Sequence, residues 1–139
     1  MAMSEGSMRQ GEQHLPLARV LVVDDRTDVA RSLAMVLERM RYRVEVAHNA
    51  KDALEKGGDL RPDIIFLDIG LPDISGYDVC KEMRQSEWGL TSFIVAVTGR
   101  DSPADVIRSA QTGFDRHVSK PMDFATLKEI LHVVKTRAA

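Results

Sequence analysis

Three short apolar runs, each closed by polar residues, constrain this chain more than any other feature. Arg19–Val23 ends in Asp24-Asp25, Asp63–Leu67 ends in Asp68, and Phe93–Val97 ends in Thr98-Gly99. Runs of this length without polar alternation read as strands covered on both faces, as in a parallel sheet sandwiched by helices. The segments between them supply the helices. Val29, Leu33, Val36, Leu37 and Met40 recur at helical spacing, and Asp25 to Asp28 offer N-cap residue types. Arg43–Ala47 alternates polar and apolar residues, the pattern of a half-exposed edge strand. Asn49 is expected to cap a short helix through Leu54, with Gly57-Gly58 stopping it. Gly70, Pro72 and Gly76 shape a loop before a helix with Val79, Cys80 and Met83 on one face. Ser102-Pro103 opens a helix to about Thr112, and Gly113 ends it. Arg116–Ser119 is a weaker strand ahead of Lys120-Pro121. Asp123 caps a last helix whose apolar stripe is Phe124, Leu127, Ile130, Leu131 and Val134.

These are five β–α repeats. They predict an α/β, doubly wound (βα)5 sandwich of the flavodoxin-like kind, with a five-stranded parallel sheet. The second and fifth strands are the polar ones and belong at the edges. A strand order of 2-1-3-4-5 places them there using right-handed crossovers only.

Length and composition bound what such a sheet is for. The chain has 139 residues, enough for one domain that needs no disulfide or zinc to hold it. Lys plus Arg is 19 against 21 for Asp plus Glu, a net charge of −2 that makes no electrostatic case for nucleic acid or membrane. Cys80 is the single cysteine, so no intrachain disulfide and no C-x-x-C pair exists. No apolar run approaches the ~20 residues of a membrane span, and the N-terminus lacks the apolar core of a signal peptide. The expectation is a cytoplasmic domain over residues 18–136, preceded by a flexible tail over 1–17. That length leaves no room for an output domain, so any signal is expected to pass through the surface of the domain itself.

Parallel α/β sheets form their sites beyond the carboxyl ends of the strands, at the topological switch point. Asp24 and Asp25 fall there after the first strand, Asp68 after the third, Thr98 after the fourth and Lys120 after the fifth. Alone, an aspartate in such a place is an ordinary helix cap, a threonine a turn former and a lysine a solvated charge. Together they converge on one sheet edge, and the three carboxylates repel one another unless a cation intervenes. Hard oxygen ligands without His or Cys in the set suit Mg²⁺, or Mn²⁺, rather than zinc.

This ordered set resembles the receiver domain of two-component response regulators, the CheY-like family. The resemblance rests on Val-Val-Asp24-Asp25, on Leu67-Asp68-Ile69-Gly70-Leu71-Pro72 with Gly76 after it, on Thr98-Gly99 and on Lys120-Pro121. The steps from Asp25 to Asp68 to Thr98 to Lys120 are 43, 30 and 22 residues. It covers Ala18 to Thr136. The stretch Gly113-Phe114-Asp115-Arg116-His117 is similar to receivers of the hybrid-histidine-kinase type.

The resemblance implies that Asp68 is the phosphoacceptor, with Thr98 and Lys120 contacting the phosphoryl group. It also implies a Mg²⁺ site made by Asp24, Asp25, Asp68 and the backbone carbonyl of Gly70. Gly99 would leave room beside the phosphoryl group, and Lys120-Pro121 would be a cis peptide. The implied partners are a histidine kinase or histidine phosphotransfer protein and a downstream protein target. The implied assembly is a monomer or weak homodimer, with no direct nucleic-acid or membrane contact. Phosphorylation would switch the surface of the fourth helix, fifth strand and fifth helix. His117 stands where the family usually carries a switching aromatic, a departure that puts an inward aromatic swing in doubt. Gly70 and Arg100 occupy the two positions that set phosphoryl lifetime, and they predict slow self-hydrolysis. On this reading the domain is no metabolic enzyme. The alternatives are a phosphorylation-independent interaction module and an Asp-nucleophile phosphatase. The latter wants Asp-x-Asp, where this chain has Gly70.

Overall fold

A computed structural model of the protein describes residues 18–99 and 102–138, the side chain of Ala138 excepted. The expected tail over 1–17, and Arg100, lie outside the described residues. Five strands and five helices alternate: β1 Arg19–Val23, α1 Thr27–Arg39, β2 Arg43–Ala47, α2 Ala50–Leu60, β3 Ile64–Leu67, α3 Gly76–Gln85, β4 Phe93–Thr98, α4 Pro103–Thr112, β5 Arg116–Ser119 and α5 Phe124–Ala138. All neighbouring strands are parallel, in the order β2-β1-β3-β4-β5. The fold is the flavodoxin-like (βα)5 sandwich that the alternation predicts. No helix of the described residues is long and apolar enough to cross a membrane.

Strand side chains alternate between two cores, because successive residues of a strand face opposite sides of the sheet. Leu21, Val23, Ile65, Leu67, Ile94 and Ala96 meet Ala53 and Leu60 of α2 and Val79, Cys80 and Met83 of α3 on one face. Val20, Val22, Ile64, Phe66 and Val95 meet Leu37 of α1 and Leu127, Ile130 and Leu131 of α5 on the other. The central strands are therefore apolar throughout except at Arg19, which opens β1, and Thr98, which closes β4. The edge strands β2 and β5 are only partly buried.

Three local expectations are corrected. The N-cap of α1 is Arg26, whose side chain caps nothing. The N–H of Arg26 is instead held by Oδ1 of Asp24, at 2.9 Å. Helix α2 is indeed capped by Asn49, which accepts from the Asp52 N–H at 2.8 Å, but it runs through Gly57-Gly58 to Leu60. A Cβ on Gly57 would lie 2.3 Å from the ring of Trp88. Gly57 thus serves close approach between helix and ring, and the helix ends at Arg61 in the left-handed region (φ 52°). Phe124, the first residue of α5, is 56% exposed and does not belong to the buried apolar face of that helix.

Other caps follow the sequence pattern. Ser102 accepts from the Asp105 N–H and Pro103 opens α4. Gly113 ends that helix at φ 124°, a conformation that disfavours side chains. Asp123 accepts from the Thr126 N–H at 2.7 Å. That bond in particular holds the Asp123 carboxyl below the usual carboxylate range.

Candidate functional site

The parallel register brings the acids together. Val23 pairs with Leu67, so the residues after them, Asp24 and Asp68, leave adjacent strands at the same level. Backbone bonds extend the sheet one step further. Asp68 N–H donates to Val23 O (2.9 Å), Asp24 N–H to Ala47 O (3.0 Å) and Lys120 N–H to Thr98 O (2.9 Å). Asp24 and Asp68 are buried, at 4% and 8% exposure, whereas Asp25 faces solvent. One carboxylate oxygen from each of Asp24, Asp25 and Asp68 falls within 4.8 Å of the others.

Lys120 reaches across from the end of β5. Its Nζ lies 2.9 Å from Oδ2 of Asp24 and 3.2 Å from Oδ2 of Asp68. Burial, the largest influence on this ammonium, works to lower its pKa. The hydrogen bond to Asp24 and the charges of Asp68 and Asp24 outweigh it, and hold Lys120 charged above its ordinary range. Three carboxylates still meet one ammonium, so the cluster keeps a formal excess of negative charge. All three acidic ligands are hard oxygens, a set that fits a divalent cation of the Mg²⁺ type.

The remaining predicted residues divide into two groups. Thr98 is buried at the end of β4, on the same sheet edge. The Gly70 N–H donates to Oδ1 of Asp68 at 2.9 Å, and a Cβ at Gly70 would start 3.7 Å from that oxygen, in ordinary contact. Among the described residues, a Cβ at Gly99 would meet nothing within 4 Å beyond its chain neighbours. The Lys120-Pro121 peptide is cis. His117 lies apart from this group. Half-buried within β5, its Nδ1 is 2.8 Å from the hydroxyl of Ser109 on α4.

His48, in the loop after β2, belongs to none of the motifs above, yet the structure joins it to the site. Its Nδ1 lies 2.8 Å from the carbonyl oxygen of Asp24. The signal was present in the pairing of β1 with β2, which ends at Val23 and Ala47 and so sets His48 opposite Asp24. A cleft of about 620 Å³ flanks the acids between α1 and the start of α5, with Val29, Val36, Pro121, Met122 and Phe124 on its walls.

Fold and site together define a flavodoxin-like protein with an acid cluster and a lysine at the switch point of its sheet, the class of signalling receivers. The family of the response regulator receiver domain matches residues 20–132, and the chain belongs to it. It is a receiver domain of two-component response regulators.

The chain is 31% identical over 111 residues to the response regulator ArlR of Staphylococcus saprophyticus, covering 80% of this chain and 49% of that protein. It is 36% identical over 103 residues to the alkaline phosphatase synthesis transcriptional regulatory protein PhoP of Bacillus subtilis, covering 74% and 42%. The chain thus spans about half the length of these curated relatives. Among solved structures, a two-component response regulator from Clostridium difficile superposes with a TM-score of 0.81 at 26% identity, covering 86% of this chain and 97% of that one. A response regulator from Burkholderia pseudomallei, solved with a phosphorylated aspartic acid, calcium ion and citrate, superposes at 0.76 with 28% identity, covering 86% and 69%.

Proposed function

We propose that residues 18–136 accept a phosphoryl group on Asp68 from a histidine kinase or histidine phosphotransfer protein. The observation that carries this reading is the convergence of Asp24, Asp25 and Asp68 within 4.8 Å, with Lys120 bonded to two of them. A carboxylate oxygen of Asp68 attacks the phosphorus of a phosphohistidine in line. The P–N bond breaks, the donor imidazole keeps the bonding pair and takes a proton, and an acyl phosphate remains on Asp68. The obstacle is charge, since an anion must approach an anion, and the work of the site is neutralisation and positioning.

Asp24, Asp25, Asp68 and the backbone carbonyl of Gly70 would hold Mg²⁺, or Mn²⁺, which supplies positive charge to the transferring group. Lys120, now shared by Asp24 and Asp68, contributes a point charge to a phosphoryl oxygen. The hydroxyl of Thr98 donates to another. The structure of the Burkholderia pseudomallei regulator, with its phosphorylated aspartic acid and calcium ion, supports both halves of this assignment. Movement of Lys120 and Thr98 toward the new group draws on the ends of β5 and β4. Their displacement reaches the face made by α4, β5 and α5, where His117 and Ser109 are bonded. A downstream protein reads that face, or a nucleic-acid-binding unit in a longer chain does. Relatives named as transcriptional regulatory proteins support the second form.

The domain turns over no external metabolite on this reading. It catalyses only its own phosphorylation and slow hydrolysis, in the cytoplasm, as a monomer or weak homodimer. The test is acetyl phosphate or beryllofluoride with Mg²⁺, applied to wild type and Asp68→Asn. The expected outcome is a single phosphoryl mass increment, and beryllofluoride-induced spectral change, in wild type only. A modification that persists in Asp68→Asn, or none in wild type, overturns the reading.

A further inference from the structure

The acid cluster hangs on two loops, and one short segment touches both. Residues 48–49 connect β2 to α2, and Ala50 and Lys51 begin that helix. At one end, Nδ1 of His48 lies 2.8 Å from the carbonyl oxygen of Asp24. A carbonyl only accepts, so Nδ1 carries the proton and donates. At the other end, the backbone N–H groups of Ala50 and Lys51 donate to Oδ1 and Oδ2 of Asp73, at 2.9 and 3.2 Å. Asp73 belongs to the loop between β3 and α3, which also carries Asp68 and Gly70. The bond from Ala50 N–H, aided by those from Lys51 and its own loop, holds the Asp73 carboxyl below the usual carboxylate range.

Helix capping alone does not account for Asp73. Helix α2 has its own cap in Asn49, which takes the Asp52 N–H at 2.8 Å. Asp73 reaches in from a loop 23 residues further along the chain and takes two more donors of the same turn. The same segment therefore grips the backbone of Asp24 with a side chain and the loop of Asp68 with its amides. The two loops it grips carry the three carboxylates that repel one another. The negative charge of Asp73 is itself taken up by the two N–H groups at the start of α2.

We propose that His48 and Asp73 are positioning residues. Segment 48–51 braces the Asp24 loop and the Asp68–Gly70 loop at a fixed separation, and so presets the spacing of the groups that would hold the cation. The proposal rests on the cation-binding reading above. Partners one shell removed from a metal commonly change its affinity by about 10–100-fold when lost.

The experiment measures Mg²⁺ binding by calorimetry and amide hydrogen exchange over residues 69–75 without Mg²⁺, both on the full chain. His48→Ala and Asp73→Ala are each expected to weaken Mg²⁺ binding by about tenfold and to speed exchange in the loop. His48→Asn, which sets an amide N–H near the place of Nδ1, restores most of the affinity. Asn49→Ala removes the cap of the same helix and lowers Tm, yet leaves Mg²⁺ affinity unchanged. If affinity is unchanged in His48→Ala and Asp73→Ala, or falls as far in Asn49→Ala, the segment is a helix start and the brace is overturned. A wild type that binds no Mg²⁺ overturns the functional reading itself, and the brace with it.

Discussion

A Cβ on Gly76 would lie 2.5 Å from the Cα of Ile69 and 2.7 Å from the carbonyl oxygen of Asp68. Both are backbone atoms, so neither can swing aside as a flexible side chain would. The glycine lets the start of α3 close onto the loop that follows Asp68, and its N–H donates to Ile69 O at 2.8 Å. Alanine gains up to ~1 kcal/mol of helix propensity, but overpacking of this kind costs about 1–3 kcal/mol. Gly76→Ala is expected to lower stability in urea and also to slow phosphorylation by acetyl phosphate, because the strain falls on Asp68. An unchanged rate would show that the loop absorbs the methyl elsewhere. Lys120 gives a pH signature at the same scale. Its folded pKa is raised, so its contribution to stability is whole below the ordinary lysine value of 10.5 and is lost as pH rises through the folded value. Lys120→Met should cost about 1–3 kcal/mol near pH 8, by leaving the buried Asp24 and Asp68 without their cation. The gap to wild type should narrow as pH rises above 10.5. A gap that stays constant in urea melts below and above that pH would count against the ion pair.

Elements are held at the opposite end of the sheet by a residue that no motif announces. Arg84, near the end of α3, donates through Nε and one terminal nitrogen to Gly113 O, at 2.9 and 2.7 Å. Its other terminal nitrogen donates to Gly89 O and Ser92 O, at 2.9 and 2.6 Å. It also pairs with Oδ2 of Asp115 at 2.7 Å, and that oxygen accepts the Ile94 N–H. One guanidinium therefore pins α3 to the entrances of β4 and β5. Lysine keeps the charge but not the planar fork, so it cannot satisfy the same carbonyls. Arg84→Met is expected to cost about 2–4 kcal/mol, since it strands partly buried acceptors and a carboxylate. Arg84→Lys should recover only part of that loss. Because these bonds lie at the amino ends of the strands, Mg²⁺ affinity should stay at the wild-type value in both variants. A fall in affinity as large as that in stability would contradict this division of labour. Helix α4 is the contrasting element. It buries only Ser109 fully and turns Val106 and Ile107 outward. Its lateral ties include the Ser109–His117 bond and Arg108, whose guanidinium carbon lies 4.0 Å from the centre of the Tyr77 ring. Little apolar area fixes it, so local opening is expected to cost less here than in the core elements.

The whole molecule carries its charge unevenly. A net charge of −2 over 139 residues is close to balance, yet three carboxylates gather at one edge of the sheet. A ligand that binds only the native state stabilises all of it by mass action, by about 2.7 kcal/mol at a hundredfold excess over Kd. Mg²⁺ at that excess is expected to raise Tm by several degrees, and Asp25→Ala to abolish the rise. A thermal shift of equal size in the variant would place the cation elsewhere. Cys80 offers no comparable handle. Burial, the main cause, pushes its thiol up to about 11, so it stays protonated and packed in the core of the native molecule.

The pattern of five repeats was legible because periodicity is local. Apolar runs at Val20–Val23, Ile64–Leu67 and Phe93–Val97 predict buried strands, and the polar mix of Arg43–Ala47 and Arg116–Ser119 predicts edges. Once the strand order follows, the residues after each strand must share one edge, so Asp24, Asp25, Asp68, Thr98 and Lys120 could be named together. What the tertiary structure alone decided lies in contacts between residues far apart in the chain. The Trp88 ring takes the space of a Cβ at Gly57, inside a helix that runs past both glycines. Asp73 seeks amides 22 and 23 residues away, and Arg84 seeks carbonyls up to 29 away. A lone histidine, aspartate or arginine carries no periodic signal. Its partner is chosen by which loops the packed sheet brings within hydrogen-bonding distance.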